Sequence, residues 1–512
     1  MKKNIKILAL GMVLVLVALT LIACDGFDFT GNNGGNGGTG NGGGTGNGNN
    51  KEGYYTLDVY AINDLHGKFE DTDGQAGVDE MTSYLKQMNE DQNTILLSTG
   101  DMWQGSCESG LTKGNIITDW MNELGFVSMT LGNHEFDWGI DPILDNIDKA
   151  EFPVLAINVF DYNTNARLEG CEASTVIDKG DVQIGIIGAI GDCYSSISKD
   201  RVDKKVYFKT DDALTNLVKA EATRLREEEG VDFIIYSIHD GYESSSNTEK
   251  YITGNNFKNE DGVYYDIELS NGYIDLVFEA HTHQSYILKD NYGVYHLQGG
   301  GDNKKGMTHA QAVFNLEENT VRVREANIIY HDLYENFADD PIVDTLMEKY
   351  DSLVGSMNDT IGTNKRKRDS STLSQRVAQL YYEKGMEKWG NVTKYSGKIM
   401  LGGGSINVRS PYNLYAGDIT YAMLYMLFPF DNEIVLCSIT GENLKNRFIG
   451  NGEYVIYGYD NQTIVNNATY YIVTDTWNSS YASNGLTIVE SYGADIYARD
   501  LLAEYASKGG FA

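Results

Sequence analysis

Five short segments of this chain place residues able to bind a metal ion directly after an apolar run. Asn63-Asp64-Leu65-His66-Gly67 follows YYTLDVYAI, Gly100-Asp101 follows TILLST, and Gly132-Asn133-His134-Glu135-Phe136-Asp137 follows the 126–131 run. His239-Asp240-Gly241 follows VDFIIYSI, and Ala280-His281-Thr282-His283 follows YIDLVFE. A carboxylate and an imidazole two residues apart share one side of an extended segment, so Asp64 and His66 can converge on a single ion. One such pair is usually a surface turn, but five strand-end clusters in one chain point together to a metal centre. Of the eight histidines, His66, His134, His239, His281 and His283 lie in these clusters, while His296, His309 and His331 do not and are read as structural or surface residues.

The elements that must position these groups are the apolar runs themselves, read as strands whose ends open onto a common site. With 73 acidic and 40 basic side chains the net charge is −33, which disfavours any phosphate-backbone polymer as partner. Hydrophobic residues make up 41% of the 512, enough for a folded protein of two to four domains. Residues 1–24 show Lys2, Lys3 and Lys6 before an apolar stretch that ends in Leu21-Ile22-Ala23-Cys24, the order of a secretory signal. The stretch resembles a bacterial lipobox, which makes Cys24 the expected lipidation site and places the rest of the chain outside the cytoplasm on a membrane surface. Residues 25–53, dominated by Gly and Asn, form a tether whose coil spans about 30 Å. Cys107, Cys171, Cys193 and Cys437 are too widely spaced for a metal-ribbon pattern, and their pairing is left open.

The ordered set NDLHG, GD, GNHEFD, H and HTH resembles the calcineurin-like metallophosphoesterases, and GNHEFD resembles their 5′-nucleotidase and cyclic-nucleotide phosphodiesterase branch. The resemblance implies an α/β fold, with a four-layer αββα sandwich over 54–338, a linking helix over 339–362 and a smaller α+β substrate-binding domain over 363–512. It implies two divalent metals, one held by Asp64, His66, Asp101 and His283 and the other by Asp101, Asn133, His239 and His281. His134 and Asp137 match the family's catalytic dyad. Mixed nitrogen and oxygen ligation suits Zn, Mn or Co, with Mg less favoured. Ala280 stands where many relatives have Gly.

In the later segment, Gly402-Gly403-Gly404-Ser405-Ile406-Asn407-Val408-Arg409 resembles the family's Gly-rich stretch ending in Arg, which makes Arg409 an expected phosphate contact. Phe428-Pro429-Phe430-Asp431-Asn432 matches the element whose aromatic stacks on a base, giving Phe430 and Asn432 as expected substrate contacts. The family's Gly-Gly-Asp loop is missing, and Trp477 or Tyr481 is expected to complete the clamp. Arg366 and Arg368, in the basic run Lys365-Arg366-Lys367-Arg368, are further candidates for the substrate phosphate. The expected activity is hydrolysis of extracellular nucleotides, first of nucleoside 5′-monophosphates and also of di- and triphosphates or nucleotide sugars. The alternatives are a 2′,3′-cyclic-nucleotide phosphodiesterase with 3′-nucleotidase activity, and a non-catalytic binding or adhesion lipoprotein on the same scaffold.

Overall fold

A computed structural model of the chain describes residues 53–512 except 70–76, 91, 198, 246–247, 252–272, 291–292, 302–305, 410–412, 451, 453, 462 and 494–495. The signal segment, Cys24 and nearly all of the tether lie outside the described residues. No helix among the described residues is long and apolar enough to cross a membrane.

Alternation along the strands explains the first half of the chain. In Tyr54–Ile62, Leu57, Val59 and Ala61 face one way and Tyr60 and Ile62 the other, as the two-residue period of a strand requires. The first set meets Ile184, Ile186, Phe233, Ile235 and Phe278 from a second sheet, forming the core between the sheets. The second set packs under Asp79–Met88 and Asn115–Leu124 through Leu85, Ile116 and Trp120. On the far side, Ile187, Ile234 and Tyr236 pack beneath Leu214 and Val218 of the helix Asp211–Thr223. Helices thus cover both outer faces of a seven-stranded and a six-stranded sheet, and the expected four-layer sandwich is present.

Tyr54–Ile62, Thr94–Ser98, Ser128–Thr130 and Val154–Leu155 run parallel, as do Gln183–Ile190, Phe233–His239 and Leu276–Phe278. Strands buried on both faces read as continuous apolar runs, which is why these segments stood out in the sequence.

The segment expected as one linking helix differs. Pro341–Lys349 is a helix whose N-cap Asp340 accepts from Ile342 N, and Asp351–Val354 adds one short turn. Val343 and Leu346 pack into the first half's core, but Leu353, on the expected apolar face, is 52% exposed. The apolar stripe therefore ends near Tyr350, and Thr360–Asn364 becomes a strand paired with Gly417–Thr420. Asp119 accepts from Lys349, Tyr350 and Lys149, fixing the helix to the first half.

The second half is a five-stranded sheet covered by the helix Ser370–Trp389, capped by Asp369, which accepts from Thr372 N at 2.9 Å. Leu373, Val377 and Tyr381 pack on Ile399, Leu436 and Val473. At Gly402 the helix backbone comes so close that a Cβ would sit 2.4 Å from Tyr382 N, so this position admits only glycine. The four later cysteines are buried and free.

Candidate functional site

Each ligand candidate leaves the end of a strand. Asp64 and His66 follow Tyr54–Ile62, Asp101 follows Thr94–Ser98, and Asn133 follows Ser128–Thr130. His239 ends its own strand, and His281 and His283 follow Leu276–Phe278. All seven converge. His66 Nε2 lies 3.0 Å from His283 Nε2, and His283 Nε2 lies 3.3 Å from Asp64 Oδ1. His239 Nε2 lies 3.1 Å from Asp101 Oδ2 and 3.2 Å from Asn133 Oδ1, and His281 Nδ1 lies 2.8 Å from that same amide oxygen.

Divalent metal ions fit this donor set. His66 Nδ1 donates to Gln104 O at 3.0 Å, and burial with the nearby Arg409 charge holds its pKa well below the usual range. The ring is neutral, and its Nε2 presents a lone pair to the cluster. Around His239 the field has the opposite sense: burial lowers its pKa, yet Asp101 and Asp64 outweigh burial and push it up to about 10. The carboxylates thus demand positive charge at that ring, and a divalent cation meets the demand. Asp64, His66 and His283 form one group of donors within 4.8 Å of one another, and Asp101, His239 and His281 form a second.

Five of these residues, Asp64, His66, Asp101, His281 and His283, have φ between 49° and 66°. Non-glycine residues in that left-handed region cost on the order of 1 kcal/mol or more each, and such strain collects where side chains must be aimed.

His134 and Asp137 lie on a 3₁₀ turn, His134–Trp138. Three residues per turn bring positions i and i+3 into line, and His134 Nδ1 sits 2.6 Å from Asp137 Oδ2. Burial disfavours the imidazolium, but Asp137 and Asp101 outweigh it and push the His134 pKa up to about 9. The Arg409 charge opposes that shift.

Three supporting residues had not been singled out as site residues in the sequence. Glu135, fully buried, accepts from Gly132 N (2.7 Å), Asp101 N (2.9 Å), Met102 N (2.9 Å) and Trp103 N (3.1 Å), tying the Asp101 loop to the Asn133 loop. Asn63 donates to Asp64 Oδ2 at 2.6 Å and accepts from Gly299 N. Gln104 holds His66 through its carbonyl while its amide donates to Pro429 O, reaching the second half of the chain. Glu135 and Asn63 sit inside the ligand motifs, which is the signal that could have found them.

The second half closes one side of the site. A cleft of about 170 Å³ is lined by His134 and Asp137 from the first half and by Asn407, Phe430, Asn432 and Trp477 from the second. Phe430 stacks on His134, with ring centroids 5.8 Å apart and planes at 26°. Arg409 is not among the described residues lining the cleft, but its charge is felt at His66, His134 and Asp137. Tyr481 is absent from the described lining and instead packs edge-on against Trp477, centroids 5.1 Å apart, so the two aromatics are layered rather than interchangeable.

Arg366 and Arg368 also depart from expectation, since neither occurs among the described residues lining the cleft. Arg368 donates to Asn364 Oδ1 and Phe511 O and stacks over the Phe511 ring, while Arg366 is exposed. The strand Thr360–Asn364 directs the basic run toward the C-terminus.

The loop carrying Phe430 is pinned at Asp431, which accepts from buried Arg499 and, at 2.6 Å, from Lys113 of the first half. Arg499 also donates to Phe428 O and Phe430 O. Burial would raise the Asp431 pKa, but Arg499 and Lys113 hold it below the usual carboxylate range. A lowered folded-state pKa adds stability that is present above about pH 4 and lost as pH falls through that range. Asp431→Asn is therefore expected to cost about 3 kcal/mol at pH 7, by leaving Arg499 buried without its counter-charge. The gap from wild type should shrink in urea titrations at successively lower pH, and a gap independent of pH would contradict the account.

Residues 57–285 match the calcineurin-like phosphoesterase family. The chain is 26% identical over 432 residues to an apyrase of Tabanus yao, covering 77% of this chain and 73% of that protein. It is 23% identical over 429 residues to a 5′-nucleotidase of Vibrio cholerae, covering 76% and 74%. Its fold is similar to the crystal structure of a 5′-nucleotidase precursor from Thermus thermophilus, with a TM-score of 0.62, 18% identity and coverage of 89% and 96%.

Proposed function

We propose that this chain, a phosphoesterase by its calcineurin-like domain, hydrolyses phosphate esters of nucleotides outside the cytoplasm, with nucleoside 5′-monophosphates as the leading substrates. The observation that carries the reading is the stacking of Phe430 on His134, which puts an aromatic platform in the cleft beside a ring that has a nitrogen within 4.8 Å of donor atoms of His66 and Asp101. The names of the apyrase and the 5′-nucleotidase support the same substrate class.

Two divalent ions would be held by Asp64, His66, Asp101 and His283 and by Asp101, Asn133, His239 and His281, Asp101 being common to both sets. Bound there, such ions supply Lewis-acid polarisation of phosphoryl oxygens and a water acidic enough to attack at neutral pH. Protonated His134 faces the cleft and stabilises charge developing on the phosphoryl group, and Asp137 fixes its ring and keeps its proton. Arg409 pairs with the phosphate, and Phe430 and Trp477 hold the base between them. The 1–24 signal and Cys24 support anchoring at a bacterial cell surface.

Phosphate release from adenosine 5′-monophosphate, a 2′,3′-cyclic nucleotide, a nucleotide sugar and a non-nucleotide ester tests the reading. We expect release to favour the 5′-monophosphate, to vanish in chelator and to return with Mn or Zn. Preference for the cyclic ester would install the phosphodiesterase reading, and no release with any metal would install the binding protein.

A further inference from the structure

We propose that Gln298 is a positioning residue that holds His281 and His283 in ligand geometry. It belongs to the strand Tyr295–Gly299, paired with Leu276–Phe278 on one side and Ser285–Lys289 on the other, so it lies beneath the turn joining those two neighbours. That turn carries both histidines.

A primary amide has two N–H donors and an oxygen with two lone pairs, and Gln298 uses three of the four on this turn and the fourth on Tyr286 of the strand that follows it. Its Oε1 accepts from Thr282 Oγ1 at 2.9 Å and from Gln284 N at 2.8 Å. Its Nε2 donates to Ala280 O at 2.8 Å and to Tyr286 Oη at 3.2 Å. The partners at 280, 282, 284 and 286 alternate with the two ligands. Gln298 is fully buried, and Gly241 leaves it room, since a Cβ there would stand 2.1 Å from Nε2.

The turn needs such a clamp for a physical reason. His281 and His283 sit at φ 66° and 54°, while the turn itself is partly exposed. Strained backbone persists only where its surroundings over-determine it. The amide supplies that constraint from below, bracketing each histidine. Outer partners of this kind typically change metal affinity by about 10- to 100-fold when removed.

The inference rests on His281 and His283 acting as metal ligands. Its test is equilibrium competition for Zn²⁺ against a chromophoric chelator, with wild type, Gln298→Met, Thr282→Val and His281→Ala, and with the urea midpoint of each metal-free protein as a check on folding. Gln298→Met, of similar length but without hydrogen bonds, should keep a cooperative metal-free transition, bind Zn²⁺ about 10- to 100-fold more weakly, and regain turnover as metal is raised. Thr282→Val should show a smaller loss that does not add to that of Gln298→Met, because both act through one bond. Unchanged Zn²⁺ affinity in a folded Gln298→Met variant overturns the proposal. If that variant fails to fold, unchanged affinity in Thr282→Val overturns it instead. Unchanged affinity in His281→Ala would remove the ligand assignment itself, whereas loss in His281→Ala without loss in Gln298→Met removes only the role of Gln298.

Discussion

Glu135→Ala is expected to unfold at a much lower denaturant concentration than wild type, with a loss on the order of 4 kcal/mol. Four backbone N–H groups from Gly132, Asp101, Met102 and Trp103 end on this one buried carboxylate. Hydrogen bonds to a charged acceptor contribute about 1.5–3 kcal/mol each, and a buried N–H left without an acceptor is penalised again. Burial and the adjacent Asp101 charge raise the Glu135 pKa to about 7, while the N–H donors pull it back toward the ordinary carboxylate range. Glu135→Gln keeps the shape and one acceptor oxygen and should lose less. Guanidinium titration in the presence of chelator separates this effect from metal binding, and a loss under about 1 kcal/mol for the alanine variant would show that the two loops hold together by other means.

The largest kinetic effect is expected at His134. His134→Ala should retain bound metal, since its ring is additional to the seven ligands, yet lower kcat by about 100- to 10,000-fold, the range for removal of a positioned acid or charge stabiliser. Asp137→Asn should fall less far, because it disturbs the proton and orientation of the ring and leaves the ring in place. Because Phe430 stacks on His134, KM should also shift in the alanine variant. Steady-state kinetics alongside metal analysis decides the matter: wild-type turnover in His134→Ala removes the dyad from the mechanism.

The convergence of the ligand candidates was legible because each stands at the end of a run apolar enough to be read as a buried strand, and because parallel strands open their ends on one side of a sheet. Nothing local distinguishes Gln298 in the same way. It is one glutamine in a strand, and its role comes from a partner turn more than a dozen residues upstream and on the neighbouring strand. The substrate side was the less readable half for the same reason. Arg366 and Arg368 had the right charge, but the pairing of Thr360–Asn364 with Gly417–Thr420 sends them elsewhere. Trp477 and Tyr481 are four apart on one short turn, and only the packing of one against the other decides which faces the cleft. The linking helix was overextended because helical spacing at Ile342, Leu346 and Tyr350 continued to Leu353, a residue the fold leaves in solvent.

The left-handed backbone at Asp64, His66, Asp101, His281 and His283 sets durability against the aim of the donor groups at those five positions. Glycine would relieve the strain at each of them and remove the donor in the same stroke. An engineering campaign that scores variants by heat tolerance alone would be drawn to these sites and would select, one substitution after another, a sturdier protein with nothing left to do.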